Sequence, residues 1–197
     1  QEGYQISGKV DGIADGKILL VSEESGKLDT LATTLINNGV FIFTGKVNQP
    51  LAAYLMLENG GGVVPLILEN VNFMVNISST GALIQGGKQQ EIFNLFSRNN
   101  MKLLQTQNRI QQEFQQAEQT GNKNRMQTLR KQFEEAVINA RQEEEQLLKQ
   151  YADSYVAAYV VAVGARQFEL KTLKIRYGLL GDSAKATIPG RFVAELI

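Results

Sequence analysis

The sequence predicts an α+β chain: an N-terminal antiparallel β-sandwich over residues 1–87, then a helical region over residues 88–197 led by a long antiparallel helical hairpin. Three observations predict it. Thirteen of the eighteen glycines lie within residues 1–87. No proline stands between Pro65 and Pro189. The spacing of apolar residues changes from two, the period of a pleated strand, to threes and fours, the period of a helix. With 197 residues and 43% hydrophobic content, the chain can bury one large core or two small ones.

The strands follow one another closely. Tyr4 to Val10 alternates apolar with polar residues. Lys17 to Ser22 is a short apolar run after Asp15-Gly16. Leu28 to Ile36 places Leu31, Thr33 and Leu35 on one face. Asn38-Gly39 accepts positive φ, so a tight hairpin is expected, returning through Val40 to Thr44. Further strands are expected at Ala52 to Glu58, Val63 to Glu69, Phe73 to Ile77 and Ala82 to Gln85. Short strands at this spacing point to a sandwich or half-open barrel.

The helices come next. Ile92, Phe96, Leu103, Ile110, Phe114 and Ala117 form a narrow stripe on one long helix, broken at Thr120-Gly121-Asn122. Met126, Leu129, Phe133, Val137, Ala140, Leu147, Tyr151 and Tyr155 line one side of the second. Together they make a hairpin over about residues 88–152, with Arg130/Glu134, Lys131/Glu135, Arg141/Glu145 and Glu145/Lys149 spaced to pair along it. Shorter helices are expected over residues 154–197: Ser154 to Gln167, Glu169 to Leu180, and Pro189 onward.

Composition excludes whole chemistries. The chain has no cysteine, no histidine and no tryptophan. That removes a thiol nucleophile, a Ser-His-Asp relay, a Cys/His zinc site and any disulfide. Twenty basic residues balance twenty acidic ones, which argues against a nucleic-acid partner. The halves are unequal: residues 1–87 carry four basic and eight acidic residues, the remainder sixteen and twelve. That asymmetry is expected to help the halves dock. No apolar run reaches the ~20 residues of a membrane helix; the longest candidate is Val156 to Val163.

Several motifs resemble sites and are better read as structure. Asn59-Gly60-Gly61-Gly62 lacks the helix and lysine of a phosphate loop and reads as a flexible hairpin. Gly86-Gly87-Lys88 precedes a helix whose free N–H groups could meet an anion, yet reads as a sheet-to-helix hinge. Lys123, Arg125, Arg130 and Lys131 read as a solvated helix end. Glu143-Glu144-Glu145 fans across different helix faces and forms no metal clamp. Asp11 and Asp15 lie in turns and lack the ligand count of a calcium loop. A hydrolase using carboxylates alone is the least favoured class; replacing Asp11 and Asp15 with Asn would test it. No catalytic residue, cofactor site or metal site is assigned. Tyr151, Tyr155 and Tyr159, four apart, form a stripe that either packs internally or lines a partner surface. Met101, Leu104 and Leu148 are apolar positions outside the hairpin stripe that need a partner or the sandwich. These six residues form the candidate interaction surface, and weak self-association through the hairpin is expected.

Short glycine-punctuated motifs carry a family resemblance. They are Ile6-Ser7-Gly8-Lys9-Val10, Gly16-Lys17-Ile18-Leu19-Leu20, Leu28-Asp29-Thr30, Asn38 to Val47, Ile84-Gln85-Gly86-Gly87 and Ala157-Ala158-Tyr159-Val160. The chain resembles the domain of unknown function that precedes the thioredoxin-like domain in thiol:disulfide interchange lipoproteins of the ResA/TlpA, AhpC/TSA kind. It departs from that family's redox chemistry, because it has no Cys-x-x-Cys pair. The resemblance implies a non-catalytic accessory module, exported to the periplasmic side of a membrane, with a lipid anchor as a further expectation. It would position, oligomerise or dock substrates for a following thioredoxin-like domain of the same gene product. The start at Gln1-Glu2-Gly3 and the apolar end at Leu196-Ile197 fit a chain whose leader is removed and whose natural sequence continues. The competing class is a cell-surface ligand- or glycan-binding β-sandwich module.

Overall fold

Eight strands form two four-stranded sheets in the computed structural model, which describes residues 2–24, 27–58 and 60–197. The expectations for Gln1, and for Asn59 in the glycine loop, lie outside the described residues. The strands are β1 (Tyr4–Val10), β2 (Gly16–Glu24), β3 (Lys27–Ile36), β4 (Val40–Gly45), β5 (Leu51–Leu57), β6 (Val63–Leu68), β7 (Asn72–Ser78) and β8 (Gly81–Gln85). One sheet has the order β4-β1-β7-β8 and the other β3-β2-β5-β6. The sheets face each other across a core of Ile6, Ile18, Leu20, Leu55, Leu66 and Phe73, all almost fully buried. Each such side chain contributes roughly 1.5–3 kcal/mol by leaving water.

Two features depart from a plain antiparallel sandwich. β1 and β7 pair in parallel, Gln5 opposite Asn72 through Val10 opposite Ile77. Alternation specifies which face a strand buries and is blind to strand direction. The Asn38-Gly39 turn forms as expected, with φ of 50° and 76° and two backbone hydrogen bonds between Asn37 and Val40. The strands it joins then part: β3 enters one sheet and β4 the other. The divergence lets Ile36, Phe41 and Phe43 reach the common core from opposite sides. β3 is an edge strand, and its Leu31 and Leu35 are exposed.

The helices are α1 (Lys88–Gln119), α2 (Lys123–Gln150), α3 (Tyr155–Gly164), α4 (Leu170–Gly178), α5 (Asp182–Lys185) and α6 (Ile188–Leu196), with a 3-10 turn at Ala165–Gln167. α1 and α2 form the hairpin arm, and Asn122 caps α2 by accepting from the Arg125 N–H at 3.1 Å. None of the four ion pairs expected along the arm forms among the described residues. Arg130 lies over the Phe114 ring and Arg141 over the Phe168 ring, in cation–π contacts. At the tip Glu113 accepts from Arg109 and Arg125.

The helices pack on the outer face of the β3-β2-β5-β6 sheet. Ala52 and Ile67 from that face join Ile92, Phe96, Leu148, Val156, Ala157, Ala158 and Val161 in a second core. Leu148 is wholly buried there, so this predicted surface residue is corrected to a core residue. The charge asymmetry of the halves does not show in the docking. Among the described residues the ion pairs Lys17–Glu58, Arg109–Glu113, Arg125–Glu113 and Arg176–Glu144 each lie within one half.

Hydrogen bonds join the halves instead. Buried Gln90 accepts from the Ile67 N–H at 2.7 Å and donates to Asn94, which donates to the Ile84 carbonyl at 2.9 Å. These two α1 side chains therefore satisfy one edge strand of each sheet, β6 and β8. Gly86, at φ 118°, has no room for a side chain: an added Cβ would sit 2.2 Å from the Asn72 carbonyl oxygen. The N-terminus of α1 already has its anion, since the Glu69 carboxylate accepts from the Gln89 N–H at 2.7 Å.

Candidate functional site

The outer face of the helix-covered sheet is built by alternation. In β5, Ala53, Leu55 and Leu57 point into the sandwich, leaving Ala52 and Tyr54 on the opposite face. Val21 of β2 stands opposite Tyr54, and Glu23 lies two residues further along the same face. α3 crosses above this surface. Its N-cap is Ser154, which accepts from the Ala157 N–H at 3.0 Å, and its mostly apolar sequence suits a helix packed between neighbours.

α3 carries Tyr155 and Tyr159 toward the sheet. Their rings stack with centroids 6.3 Å apart and planes 9° apart. The Tyr155 hydroxyl accepts from the Ala52 N–H at 3.0 Å. The Tyr54 hydroxyl donates to Glu23 Oε2 at 2.9 Å, and the Tyr159 hydroxyl stands 3.4 Å from the Tyr54 oxygen. Tyr54 has committed its one proton to Glu23, so Tyr159 donates to Tyr54. A relay of two phenols ending on a carboxylate results.

This relay lines a cleft of about 400 Å³. Its sheet side is Glu23, Pro50, Leu51 and Tyr54; its helical side is Tyr155, Tyr159, Val163, Arg166 and the α6 residues Ile188, Pro189 and Phe192. A second cavity of about 510 Å³ lies beyond, and Tyr54, Tyr159 and Val163 line both. Burial raises the Tyr159 hydroxyl far above its ordinary pKa, and donation to Tyr54 raises it further. Burial also raises Tyr54; the hydrogen bond from Tyr159 lowers it, while Glu23 adds to the rise. Both phenols stay protonated at neutral pH. The cleft therefore offers flat rings, fixed O–H groups, one carboxylate and one exposed arginine, an arrangement suited to recognition.

The six predicted surface residues separate. Tyr155 and Tyr159 meet in the cleft. Tyr151 leaves the stripe, because it caps α2 and precedes the turn into α3. Met101 and Leu104 are half-exposed on the arm, and Leu148 is in the core. Sequence reasoning missed Tyr54, Glu23, Arg166 and Phe192 as partners of the tyrosines. Strand alternation does mark Tyr54 as facing away from the sandwich core. Among the described residues no group of three or more acidic side chains could hold a metal ion. No helix among them is long and apolar enough to cross a membrane.

Residues 4–93 match DUF4369, a domain of unknown function. The match covers all eight strands and the first turn of α1. No curated protein and no solved structure matches the chain. The cleft thus straddles the DUF4369 match: Glu23 and Tyr54 lie inside it, and Tyr155, Tyr159 and Phe192 lie in the helices that follow.

Proposed function

We propose that this chain is a non-catalytic accessory module of an exported thioredoxin-like thiol:disulfide oxidoreductase, and that its tyrosine cleft is where the redox domain docks. One observation carries the reading: α6, the last helix, forms a wall of the cleft through Ile188, Pro189 and Phe192. A domain joined after α6 would be tethered beside this aromatic surface, at a high effective concentration. Composition supports the division of labour, since a chain without cysteine needs a second piece of protein for any thiol chemistry. The family resemblance is the ground on which the order of the two domains, the periplasmic location and the lipid anchor are proposed.

The experiment has two arms. The reading frame beyond Ile197 should encode a Cys-x-x-Cys domain; its absence overturns the reading. In the full-length protein, Phe192→Asp and Val163→Asp place charge on exposed cleft positions. Both should release the redox domain, read as faster proteolysis of the linker with an unchanged melting temperature of the sandwich.

One observation favours a second reading, the cell-surface ligand- or glycan-binding module. The stacked rings of Tyr155 and Tyr159 lie beside Glu23 and Arg166, a flat apolar face next to polar groups of the kind sugars bind. Saturable oligosaccharide binding by calorimetry, lost in Tyr54→Ala, would favour it over domain docking.

A further inference from the structure

The second cavity differs in chemistry from the tyrosine cleft. It lies between the base of the arm and the segment running from α3 to α4. Phe93 and Phe96 of α1 and Phe168, just after the 3-10 turn, give it apolar walls. Its volume, about 510 Å³, is that of a small-molecule site.

A buried cation lines it. Arg176 of α4 is only 2% exposed. Its guanidinium lies 4.4 Å from the centroid of Phe168, and one Nη donates to the Glu144 carboxylate. The Arg176 Nε is buried and meets no acceptor among the described residues. Arg141 lies on the same wall, its guanidinium 5.8 Å from the same ring, and makes no ion pair among the described residues. Two guanidinium groups against the single carboxylate of Glu144 leave the lining with one net positive charge.

We propose that this cavity binds a small organic anion with an apolar body. The anionic group pairs with Arg141 in the net positive field of the lining; the body lies against Phe93, Phe96 and Phe168. Glu144 pairs with Arg176 and orients it, since a buried guanidinium without a counter-ion would be far more expensive. The net charge of the lining then selects anions over neutral molecules of the same shape.

A pair of fluorescent probes tests this. Anilinonaphthalene sulfonate is an aromatic anion, and N-phenylnaphthylamine is its uncharged relative. The sulfonate should bind the whole chain at one saturable site. Arg141→Gln should weaken it roughly tenfold, the effect of a lost charge-assisted hydrogen bond, and leave the neutral probe unchanged. Leu103→Trp, which fills the cavity from α1, should abolish binding of both. The ring resonances of Phe168 should shift as the sulfonate saturates, which a purely structural role for the arginines would not show. Absence of saturable binding overturns the proposal. So does undiminished sulfonate binding in Arg141→Gln, retained binding of either probe in Leu103→Trp, or unmoved Phe168 ring resonances. None of these outcomes bears on docking at the tyrosine cleft.

Discussion

Tyr159 holds its hydroxyl in the wall between the two cavities, and burial keeps its proton above the ordinary value of 10.0. In the unfolded chain the same phenol ionises near that value. Above it, the unfolded state binds fewer protons than the folded state, so stability is full below about pH 10 and falls as pH rises further. Tyr159→Phe should flatten this alkaline loss, read from urea unfolding at about pH 8 and about pH 11. Tyr54 is shifted in the same direction, so part of the slope should remain. At neutral pH the substitution should cost under about 1 kcal/mol, because one long hydrogen bond is removed. An unchanged alkaline slope would show that Tyr159 does not carry the effect. Gly86→Ala belongs to the same scale: a left-handed backbone and a blocked Cβ should cost roughly 3 kcal/mol by chemical denaturation. The stacking of Tyr155 with Tyr159 was legible from their spacing on one helix. The role of Arg176 was not. Its neighbours Lys171 and Lys174 give α4 the pattern of a surface helix, and its burial depends on Phe168 and Glu144 from other segments.

Elements were legible wherever their own residues define them. β1 spans the residues that alternation marks, and the arm breaks where Thr120, Gly121 and Asn122 interrupt its stripe. Sheet membership was not legible, because Asn38-Gly39 turns the chain tightly whether the next strand stays or changes sheet. α3 offers a test at this scale. Ser154 satisfies the Ala157 N–H at its start, and Ser154→Ala should cost about 1 kcal/mol in denaturant unfolding. The arm offers another. Met101 and Leu104 remain 49% and 48% exposed, so apolar surface is left where the arm projects. Weak self-association through it should appear as a concentration-dependent mass in light scattering and diminish in Met101→Glu and Leu104→Glu. A strict monomer at high concentration would remove the arm from consideration.

At the scale of the whole molecule, the strand half does not own all of its surface. Ala52 and Ile67 face away from the sandwich core and are buried only because α1, α2 and α3 cover them. Gln90 and Asn94 bond to the edges of both sheets, so pulling the helices away frees the Ile67 N–H and the Ile84 carbonyl together. Sheet and helices are therefore expected to unfold as one cooperative unit. Leu148 is the residue that tests it, since it comes from the arm and packs in the shared core. Leu148→Ala should cost about 2–5 kcal/mol and lower the thermal midpoints of the strand and helix signals by the same amount. The far end of the arm is held by its own cluster of Ile110, Ala117 and Leu129, remote from that core. Its amides should exchange by local opening, well before those of β5 and α3 in a native-state hydrogen-exchange experiment. Two separate melting transitions, with Leu148→Ala moving only the helical one, would mean that the sandwich folds by itself and carries the helices as an independent attachment.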